Sequence, residues 1–568
     1  MTTPICGLKL SHDGALAVVE DGRLSLCIEA EKVQNNRRHA PMNDVAVIVD
    51  QLAMHDISVN DVAVAIDGWA RVPDGSPKVE IRDASGESQW LDVAGYNDKD
   101  DSRLASDLLA SITGKLTLGQ GDHPFRSYLH ATGHALAGYC TSPAATRQES
   151  SLILVWDGGM PATLYSFDPN KRELIGLGTA LEVSGALYPI FASQFKPFEV
   201  STARGPERNS RFKGVAEAFL PISGKAMAYA GLSDPSPEAI EILEGLTRKF
   251  TPRDTQRSVL WSRRAFRRLK PLGLSDAEAL SSFQEFLCRA LLRGLKSKVE
   301  TVAGRASLCF VGGCALNIKW NAALRSSGLF DWVWVPPFPN DSGSAIGAAC
   351  AEMLKTTPHT AIDWTVFAGP AVGATTEPVP GWEVTAAEIE EVAPIVHSGE
   401  PVVILAGRSE VGPRALGRRS IIAPATSPRM RDQLNRIKHR EWYRPVAPIC
   451  LEERAPEVFE PGSKDPYMLF DHSVRPNWVE RIPAVVHADG SARLQTVGRD
   501  NEVMRRLLVS YELLSGLPVL CNTSANFPGC GFFPDAASAM RWGGVRHVWC
   551  DGRLFTQNVR EQEAADTA

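Results

Sequence analysis

Two stretches far apart in the chain share one pattern of apolar runs separated by tight polar turns. The first, "PICGLKLSHDGALAVVEDGRLSLCIEAE", begins at Pro4, and the second, "SLILVWDGGMPATLYSFD", begins at Ser151. In both, β-forming residues flank short Asp/Gly turns, which predicts a strand, a turn and a second strand. The detailed sequences differ, so we interpret the two stretches as the starts of duplicated halves of one domain.

Strands and helices alternate after each of these stretches. "SLCFVGGCALNIKWNAAL" predicts a strand, a Gly312-Gly313 turn and a helix, and "WVWVPPFPNDSGSAIGAACAEML" predicts a strand, a loop and a helix. From Pro235 to about Ala303 the apolar residues recur at helical spacing behind a Ser275-Asp276 cap, which predicts a helical insertion over residues 235–303. The expected fold class is mixed α/β.

The chain, at 568 residues, is too long for a single core. Between residues 355 and 382, Pro, Gly and Thr replace the helical pattern. We therefore predict a boundary near residue 375, with one domain over residues 1–374 and a second over residues 375–568.

Composition narrows the function classes. Net charge is −6, which does not favour bulk attraction to nucleic acid. No apolar run approaches the ~20 residues of a membrane span, and the N-terminus lacks the order of a signal peptide, so we expect a cytoplasmic protein that does not bind a membrane. The eleven cysteines include no Cys-x-x-Cys, so we expect them to be reduced core residues.

In "LHATGHALAGYC", His130 and His134 lie on one face of a predicted helix and could share a metal ion. From the pair alone, two packed or solvated histidines are the favoured alternative. Asp157, at the end of "LILVWD", and Asp341, before a helix of small residues, are candidate partners, although each could be a turn or cap residue. Together the four would suit iron, manganese or zinc.

Two further features could bind or activate a substrate. His12-Asp13-Gly14 lies at the first turn between strands, where a neutral histidine could accept a proton, although an ordinary polar turn is the alternative. Gly312, Gly313 and Asn317 lie where a strand meets a helix and could hold a phosphate, or could serve close packing. Lys225, in "ISGKAMAYAG", is another candidate phosphate ligand, although most lysines are solvated.

The second domain contains a concentrated basic run. Residues 407–444 include ten Lys or Arg and three acids, an excess of seven positive charges. This run predicts an anionic ligand, and since glycines interrupt it, a small anion is favoured over nucleic acid. Arg429, Arg431, Arg436 and Arg440 are expected to include solvated helix positions. Asn522 and Ser524 follow the strand "LPVLC" and add polar groups at its end.

Together these segments resemble the carbamoyltransferase family that includes the NodU nodulation proteins, the cephamycin carbamoyltransferases and tobramycin carbamoyltransferase. The resemblance runs through nearly the whole chain. It rests on "GLKLSHDGALAVVEDG", "HATGH", "LVWDGG", "GKAMAYAG", "GGCALN", "NDSGSAIGAA", "GRSEVGPRALGRRSIIA", "IKHREWYRPVAPICLEE", "SARLQTV" and "LCNTSANFPG".

The resemblance implies an N-terminal domain of the actin-like ATPase fold (ASKHA, TsaD-like) with duplicated halves, and a YrdC-like C-terminal domain. In the C-terminal domain, carbamoyl phosphate and ATP, with Mg²⁺, would form carbamoyl-adenylate. In the N-terminal domain the carbamoyl group would pass to a hydroxyl of a small natural product, with release of AMP.

The resemblance also assigns roles to residues. Carbamoyl phosphate or adenylate binding falls on Arg414, Lys438, Arg444, Arg493, Asn522 and Ser524. The metal ligands, with Fe²⁺ as the expected ion, fall on His130, His134, Asp157 and Asp341. The general base falls on His12, beside Asp13, and nucleotide binding in the N-terminal domain falls on Lys225, Gly312, Gly313 and Asn317. Residues 191–212 are expected to line the acceptor pocket.

Three other protein classes share part of this pattern. A tRNA threonylcarbamoyl-adenosine transferase shares both domain types, but the net charge offers no basic surface for tRNA. An actin-like small-molecule kinase or binding chaperone would explain the glycine turns and not the second domain. A metalloprotease would need a Glu beside the first histidine of "HATGH".

Overall fold

The computed structural model describes residues 3–33, 35–69, 75–118, 121–200, 218–300, 306–375 and 379–558. The chain forms two compact units. Unit 1 comprises Met1–Ser25 and Met42–Trp364, and unit 2 comprises Leu26–Pro41 and Thr365–Ala568. Unit 2 thus includes a short segment from near the N-terminus, which the sequence assigns to the first domain.

The first half of unit 1 contains, within the described residues, a six-stranded sheet in the order β3-β2-β1-β4-β8-β7. β1 pairs antiparallel with β2 and parallel with β4, and β4 pairs parallel with β8. β5 and β6 form a separate hairpin. The elements are β1 (Ile5–Lys9), β2 (Ala15–Glu20), β3 (Arg23–Glu29), α1 (Val45–Ala53), β4 (Ala63–Asp67), β5 (Lys78–Arg82), β6 (Ser88–Asp92), β7 (Ile112–Leu118), β8 (Gly121–Tyr128), α2 (His130–Cys140) and α3 (Pro143–Thr146).

The second half of unit 1 contains a sheet in the order β11-β10-β9-β12-β13. β9 pairs antiparallel with β10 and parallel with β12, which pairs parallel with β13. The elements are β9 (Ser151–Val155), β10 (Pro161–Asp168), β11 (Glu173–Ser184), α4 (Leu187–Ala192), α5 (Ile222–Ala230), α6 (Pro237–Lys249), α7 (Thr255–Leu269), α8 (Asp276–Val299), β12 (Leu308–Val311), α9 (Ile318–Ser326), β13 (Val333–Trp334) and α10 (Ser344–Thr356).

The two halves share one topology. Each starts with three consecutive strands, continues with two strands parallel to the first, and is followed by a helix, α2 in the first half and α10 in the second. The mixed α/β fold with duplicated halves is therefore confirmed for unit 1. The helices α6, α7 and α8 occupy the segment expected to be helical. The Ser275 cap is also confirmed, because its hydroxyl accepts from the backbone N–H of Glu278 at 3.1 Å.

Glycines allow α2 and α10 to cross at very short range. A Cβ placed on Gly347 would lie 1.7 Å from the carbonyl oxygen of Gly133, so neither helix could keep its position with a larger residue there. The helix α10 also packs closely on β1, since a Cβ on Gly7 would lie 2.0 Å from the carbonyl oxygen of Ala345. This contact brings the N-terminal ends of the two helices together.

Unit 2 is built on a sheet in the order β14-β24-β23-β15-β16-β22-β17-β21, with a small sheet of β18, β19 and β20. Its central strands are apolar and buried on both faces, as expected for a sheet covered by helices. The elements are β14 (Trp382–Ala386), α11 (Val392–His397), β15 (Val402–Leu405), β16 (Arg419–Pro424), α12 (Pro428–Ile437), β17 (Ala447–Leu451), α13 (Ala455–Val458), β18 (Phe459–Glu460), β19 (His472–Val474), β20 (Ser491–Ala492), β21 (Gln495–Val497), α14 (Glu502–Ser515), β22 (Val519–Ser524), α15 (Ala536–Trp542), β23 (His547–Cys550) and β24 (Arg553–Gln557).

Two smaller findings bear on the expectations from composition. Across the described part of the chain, no helix is both long enough and apolar enough to cross a membrane. All eleven cysteines, which lie in described residues, are free thiols.

Candidate metal centre and anion site

Four buried side chains of unit 1 converge on one point. They offer one ligand atom each, and these atoms all lie within 4.8 Å of one another; the residues are His130, His134, Asp157 and Asp341. The first two stand one turn apart at the start of α2, and Asp341 begins the turn that leads into α10. The duplicated topology therefore brings the loops after corresponding strands of the two halves to one place.

Asp67, which ends β4, fixes the orientation of the His130 ring. Its carboxylate lies 2.7 Å from Nδ1 of His130. Nε2 of His130 is then left facing the set, 3.1 Å from Nε2 of His134 and 3.6 Å from Oδ1 of Asp341. A carboxylate on one imidazole nitrogen and a metal on the other is a common arrangement in metal sites. Sequence reasoning missed Asp67, although an Asp-Gly pair at a strand end was the signal used for Asp157.

A buried lysine compensates part of the negative charge. Nζ of Lys9 lies 2.9 Å from Asp341 and 3.2 Å from Asp67, and 3.8 Å from the centre of the Trp69 ring. Burial alone would lower the pKa of Lys9, but the two carboxylates more than offset this and raise it. No pattern in the sequence marks Lys9, which ends an otherwise apolar strand.

The potential at the set is negative. Burial alone would lower the pKa of His130, but the charge of Asp67, with a further contribution from Asp341, raises it to about 9. Burial would raise the pKa of Asp341, yet Lys9 and His130 hold it well below its usual value. A buried site that favours positive charge on both Lys9 and His130 is suited to a cation.

Asp157 is held by groups from both halves of unit 1. Its Oδ1 accepts from the backbone N–H of Gly313 at 2.7 Å, and its Oδ2 accepts from the Tyr96 hydroxyl. Gly312 has φ of 91°, and a Cβ there would lie 2.4 Å from the carbonyl oxygen of Trp156. The two glycines thus let the turn approach β9 closely, and the N–H of Gly313 positions a candidate ligand.

The donor set fits a divalent metal. Two imidazoles and two carboxylates suit borderline ions such as iron, manganese and zinc, and all four side chains are buried. The Asp67 contact leaves Nε2 of His130 as its ligating nitrogen.

His12 lies beside this set. Its Nδ1 is 3.2 Å from Asp13 and 3.7 Å from Asp341, and its ring packs edge-on against Trp69. Burial would lower the pKa of His12, but the charges of Asp341 and Asp13 raise it. A histidine held through Nδ1 presents Nε2 to a substrate, so the structure places the predicted base next to the predicted ligands.

The other predicted nucleotide residues are more dispersed. The side chain of Asn317 accepts from the N–H groups of Lys319 and Trp320, which makes it the N-cap of α9. Lys225 lies on α5, which packs against α8. Residues 201–212 of the predicted acceptor-pocket stretch lie outside the described residues.

In unit 2, basic side chains gather at the end of β22. Burial and then neighbouring arginines lower the pKa of Arg414 to about 10 and that of Arg440 to about 9. The same causes hold the pKa of Arg493 well below its usual value. The buried Nε atoms of Arg414 and Arg493 have no hydrogen-bond partner among the described residues. Buried, mutually repelling guanidinium groups with unused donors are suited to an anion.

The loop that carries Arg414 is fixed by two buried charged residues. Oε1 of Glu410 accepts from the N–H groups of Leu416 and Arg418, both at 2.7 Å. Arg419 donates to four backbone carbonyls, those of Ala406, Arg418, Pro370 and Gly407. Part of the basic run therefore holds the loop and is not available to a ligand.

Near β22, too, some of the predicted anion-binding residues are occupied by other protein groups. Lys438 donates to the carbonyls of Ser524 and Asn526 and to the Asn526 side chain, which occupies its three N–H groups. Arg440, which the sequence grouped with solvated helix positions, is half-buried and donates to the hydroxyls of Thr523 and Ser524.

The remaining two predicted residues lie beside Arg414 and Arg493. Asn522 donates to the side chain of Gln495 and to the carbonyl of Ala415, the residue that follows Arg414 in the chain. Arg444 lies 3.6 Å from Glu441, and its charge contributes to the lowered pKa of Arg493, after burial and Arg414.

Comparison with known proteins finds family matches that together cover most of the chain. Residues 4–350 match the family described as Carbamoyltransferase N-terminus, and residues 393–548 match Carbamoyltransferase C-terminus. Nodulation protein U of Rhizobium tropici is 45% identical, over 97% of this chain and 96% of that protein. The 3'-hydroxymethylcephem-O-carbamoyltransferase of Streptomyces clavuligerus is 31% identical, over 96% of each.

Among solved structures, component A of the (R)-2-hydroxyglutaryl-CoA dehydratase of Acidaminococcus fermentans covers 62% of this chain and 98% of its own. Its identity of 10% and TM-score of 0.33 are too low to support an argument. The sequence relatives and the two family matches decide the question: the chain belongs to the carbamoyltransferase family, as its motifs predict, and is an enzyme of that class.

Proposed function

We propose that this protein is an ATP-dependent O-carbamoyltransferase that acts on a hydroxyl group of a small natural product. The observation that carries the proposal is the buried set of His130, His134, Asp157 and Asp341, with His130 oriented by Asp67, in a chain of the carbamoyltransferase family. The name of the cephem relative, which specifies a hydroxymethyl acceptor, supports a hydroxyl acceptor.

The first reaction is assigned to unit 2. Water converts carbamoyl phosphate to carbamate and phosphate, and a carbamate oxygen then attacks the α-phosphorus of ATP. The products are carbamoyl-adenylate and pyrophosphate. Arg414, Arg444 and Arg493 would bind the phosphate groups and offset their charge, and Mg²⁺ would accompany ATP. The unused donors of Arg414 and Arg493 support this role.

The second reaction is assigned to unit 1. The acceptor oxygen attacks the carbamoyl carbon, the bond from that carbon to the AMP oxygen breaks, and AMP leaves. His12 accepts the hydroxyl proton, with Asp13 holding its Nδ1. A divalent ion on the four ligands, with Fe²⁺ as the expected metal, would polarise the carbamoyl carbonyl. The nucleotide side is proposed to include Lys225, Gly312, Gly313 and Asn317.

The test uses the full chain with carbamoyl phosphate, ATP, Mg²⁺ and ferrous iron, and a panel of hydroxylated acceptors. We expect AMP, pyrophosphate and phosphate to form in step with a carbamoylated product. Formation of ADP in place of AMP and pyrophosphate would contradict the proposal and favour a kinase.

A further inference from the structure

Helix α7 of the helical insertion is amphipathic, and its apolar face packs into the core of unit 1. Trp261 is fully buried. Its ring centre lies 5.8 Å from that of Phe283 and 6.1 Å from that of Phe286, both on α8. Ala265 and Leu269, one and two turns further along α7, are buried on the same side. Packing therefore fixes α7 and leaves its opposite face to solvent.

The opposite face of α7 is strongly basic. Residues 253–270 include seven Lys or Arg and one acid, an excess of six positive charges in a chain of net charge −6. Leu260 is 47% exposed and lies at the centre of this face, because Arg263, Arg264 and Arg267 follow it at i+3, i+4 and i+7. All three arginines are exposed. We call these four side chains the basic face.

The charge of the basic face has little compensation from the protein. In the part of the chain that the structure describes, no ion pair joins Arg263 or Arg267 to an acid, and Arg264 lies over the Phe250 ring at 4.4 Å. The single acid of the segment, Asp254, is the N-cap of α7 and accepts from the backbone N–H of Arg257 at 2.8 Å. A compact group of exposed positive charges attracts a partner with a negative surface.

The exposed Leu260 distinguishes between classes of anionic partner. A nucleic acid offers phosphates and bases, but the basic face has no aromatic side chain on which a base could stack. A bilayer with anionic lipids offers phosphates at its surface and hydrocarbon directly below them. An apolar side chain among arginines can enter such a surface while the guanidinium groups stay at the level of the headgroups. The basic face therefore fits a lipid surface better than a nucleic acid.

We propose that the basic face is a docking surface for a bilayer that contains anionic lipids. Arg263, Arg264 and Arg267 contact lipid phosphates, and Leu260 enters the headgroup layer. The composition of the chain predicts no membrane binding, but net charge averages over the whole protein. Adsorption depends on the charges within a Debye length of the surface, about 8 Å at physiological salt. The inference does not depend on the proposed carbamoyl transfer.

The test is sedimentation of the full chain with two kinds of vesicle. One contains phosphatidylcholine and phosphatidylglycerol in equal parts, and the other contains phosphatidylcholine alone. The wild type should bind the first and not the second, and high salt should release it. The triple variant R263Q/R264Q/R267Q should bind about 100-fold more weakly, since each basic residue near an anionic surface contributes about fivefold in affinity.

Further variants separate charge from geometry. Replacement of the same three arginines by lysine should retain most of the binding, because attraction to an anionic surface depends on charge and not on the planar guanidinium fork. Leu260→Ala should weaken binding about three- to tenfold, because it removes apolar surface from the contact. The matched control replaces three exposed arginines of unit 2 by glutamine, Arg429, Arg436 and Arg541, and should bind as the wild type does.

The results that contradict the inference are equally defined. Absence of wild-type binding to the anionic vesicles, or equal binding by the wild type and R263Q/R264Q/R267Q, would overturn it. Binding of a DNA or RNA duplex that the same triple variant loses, without binding of vesicles, would assign the basic face to nucleic acid instead. If the triple variant folds poorly, Leu260→Glu places a repelling charge at the centre of the face and should abolish vesicle binding. Retained binding in a folded Leu260→Glu variant would also overturn the inference.

Discussion

The His–Asp set of unit 1 and the arginine cluster of unit 2 have opposite charges and a similar construction. In the first, three carboxylates are buried, those of Asp67, Asp157 and Asp341, and the ammonium of Lys9 contacts Asp67 and Asp341. In the second, arginines lower one another's pKa values, and the buried Nε atoms of two of them have no hydrogen-bond partner in the described part of the chain. Burying like charges is unfavourable unless a partner arrives, so each region is prepared for a ligand of the opposite sign.

The two regions differ in how they are supported. The first stands on the crossing of α2 and α10 and on strand ends, so regular elements fix its side chains. The second stands on loops, which Glu410, Arg419 and Lys32 hold through backbone groups. We therefore expect each region to fail separately: a change in one should alter its own ligand and leave the other ligand bound.

The largest effect should follow from His130→Ala. Loss of one imidazole from the four donors should reduce bound metal to near background and lower carbamoyl transfer by more than about 100-fold. Pyrophosphate formation in unit 2 should continue. Metal content by elemental analysis and separate assays of pyrophosphate and carbamoylated product check this. The exposed His359→Ala is the control, and wild-type metal content in His130→Ala would remove His130 from the ligand set.

The corresponding change in the other region is Arg414→Ala. It removes a buried guanidinium with an unused donor, so carbamoyl-phosphate-dependent release of pyrophosphate should fall by roughly 100-fold. Metal content should stay at the wild-type level, which separates this variant from His130→Ala. Arg429→Ala, on the exposed face of α12, removes the same charge outside the cluster. Undiminished pyrophosphate release in Arg414→Ala would refute its role.

A smaller loss is expected from Asp67→Asn. The amide can still accept from Nδ1 of His130, but the charge that orients and polarises the ring is gone, so metal affinity should fall about 10- to 100-fold. Competition with a chelator measures this. Glu352→Gln is a matched control, because Glu352 is also a buried carboxylate of unit 1 and is bound by Tyr128 at 2.6 Å. Equal metal affinity in Asp67→Asn and the wild type would contradict the orienting role.

Sequence patterns were sufficient to predict the duplicated topology and to identify candidate ligands that the fold brings together. His130, Asp157 and Asp341 each stand where a strand or loop meets the next element, and local composition marks such positions. Asp67 follows the same rule and could have been found. Lys9 could not, because a lysine within an apolar strand is recognised only when its neighbours in space are known.

In the basic run, sequence patterns could not identify which arginines are available to a ligand. Arg414 and Arg419 look alike in the sequence, yet the first has an unused donor while the second is occupied by backbone carbonyls. Local spacing does not tell the two apart, since the carbonyls are brought together by the fold. The membership of Leu26–Pro41 in unit 2 was equally inaccessible, because its contacts with Gly412 and Gly531 join residues far apart in the chain.

The smallest effect tests the support of the His–Asp set without touching a ligand. Gly347→Ala would place a Cβ 1.7 Å from the Gly133 carbonyl, so α2 and α10 must separate, at a cost of about 1–3 kcal/mol in the free energy of unfolding of unit 1. Metal affinity should fall with it, and pyrophosphate binding by unit 2 should not. Denaturant unfolding with and without metal measures this.

The control for Gly347→Ala is Gly224→Ala on α5. Among the described residues, a Cβ at Gly224 meets nothing within 4 Å, so the helical preference for Ala should raise stability by about 0.5–1 kcal/mol. A lower free energy of unfolding in Gly347→Ala and a higher one in Gly224→Ala would show that the helix crossing, and not helix propensity, sets the geometry of the ligands. If both variants gained stability, the crossing of α2 and α10 would have room for a Cβ at Gly347. The contrast between a site fixed by helices and a site fixed by loops would then be wrong.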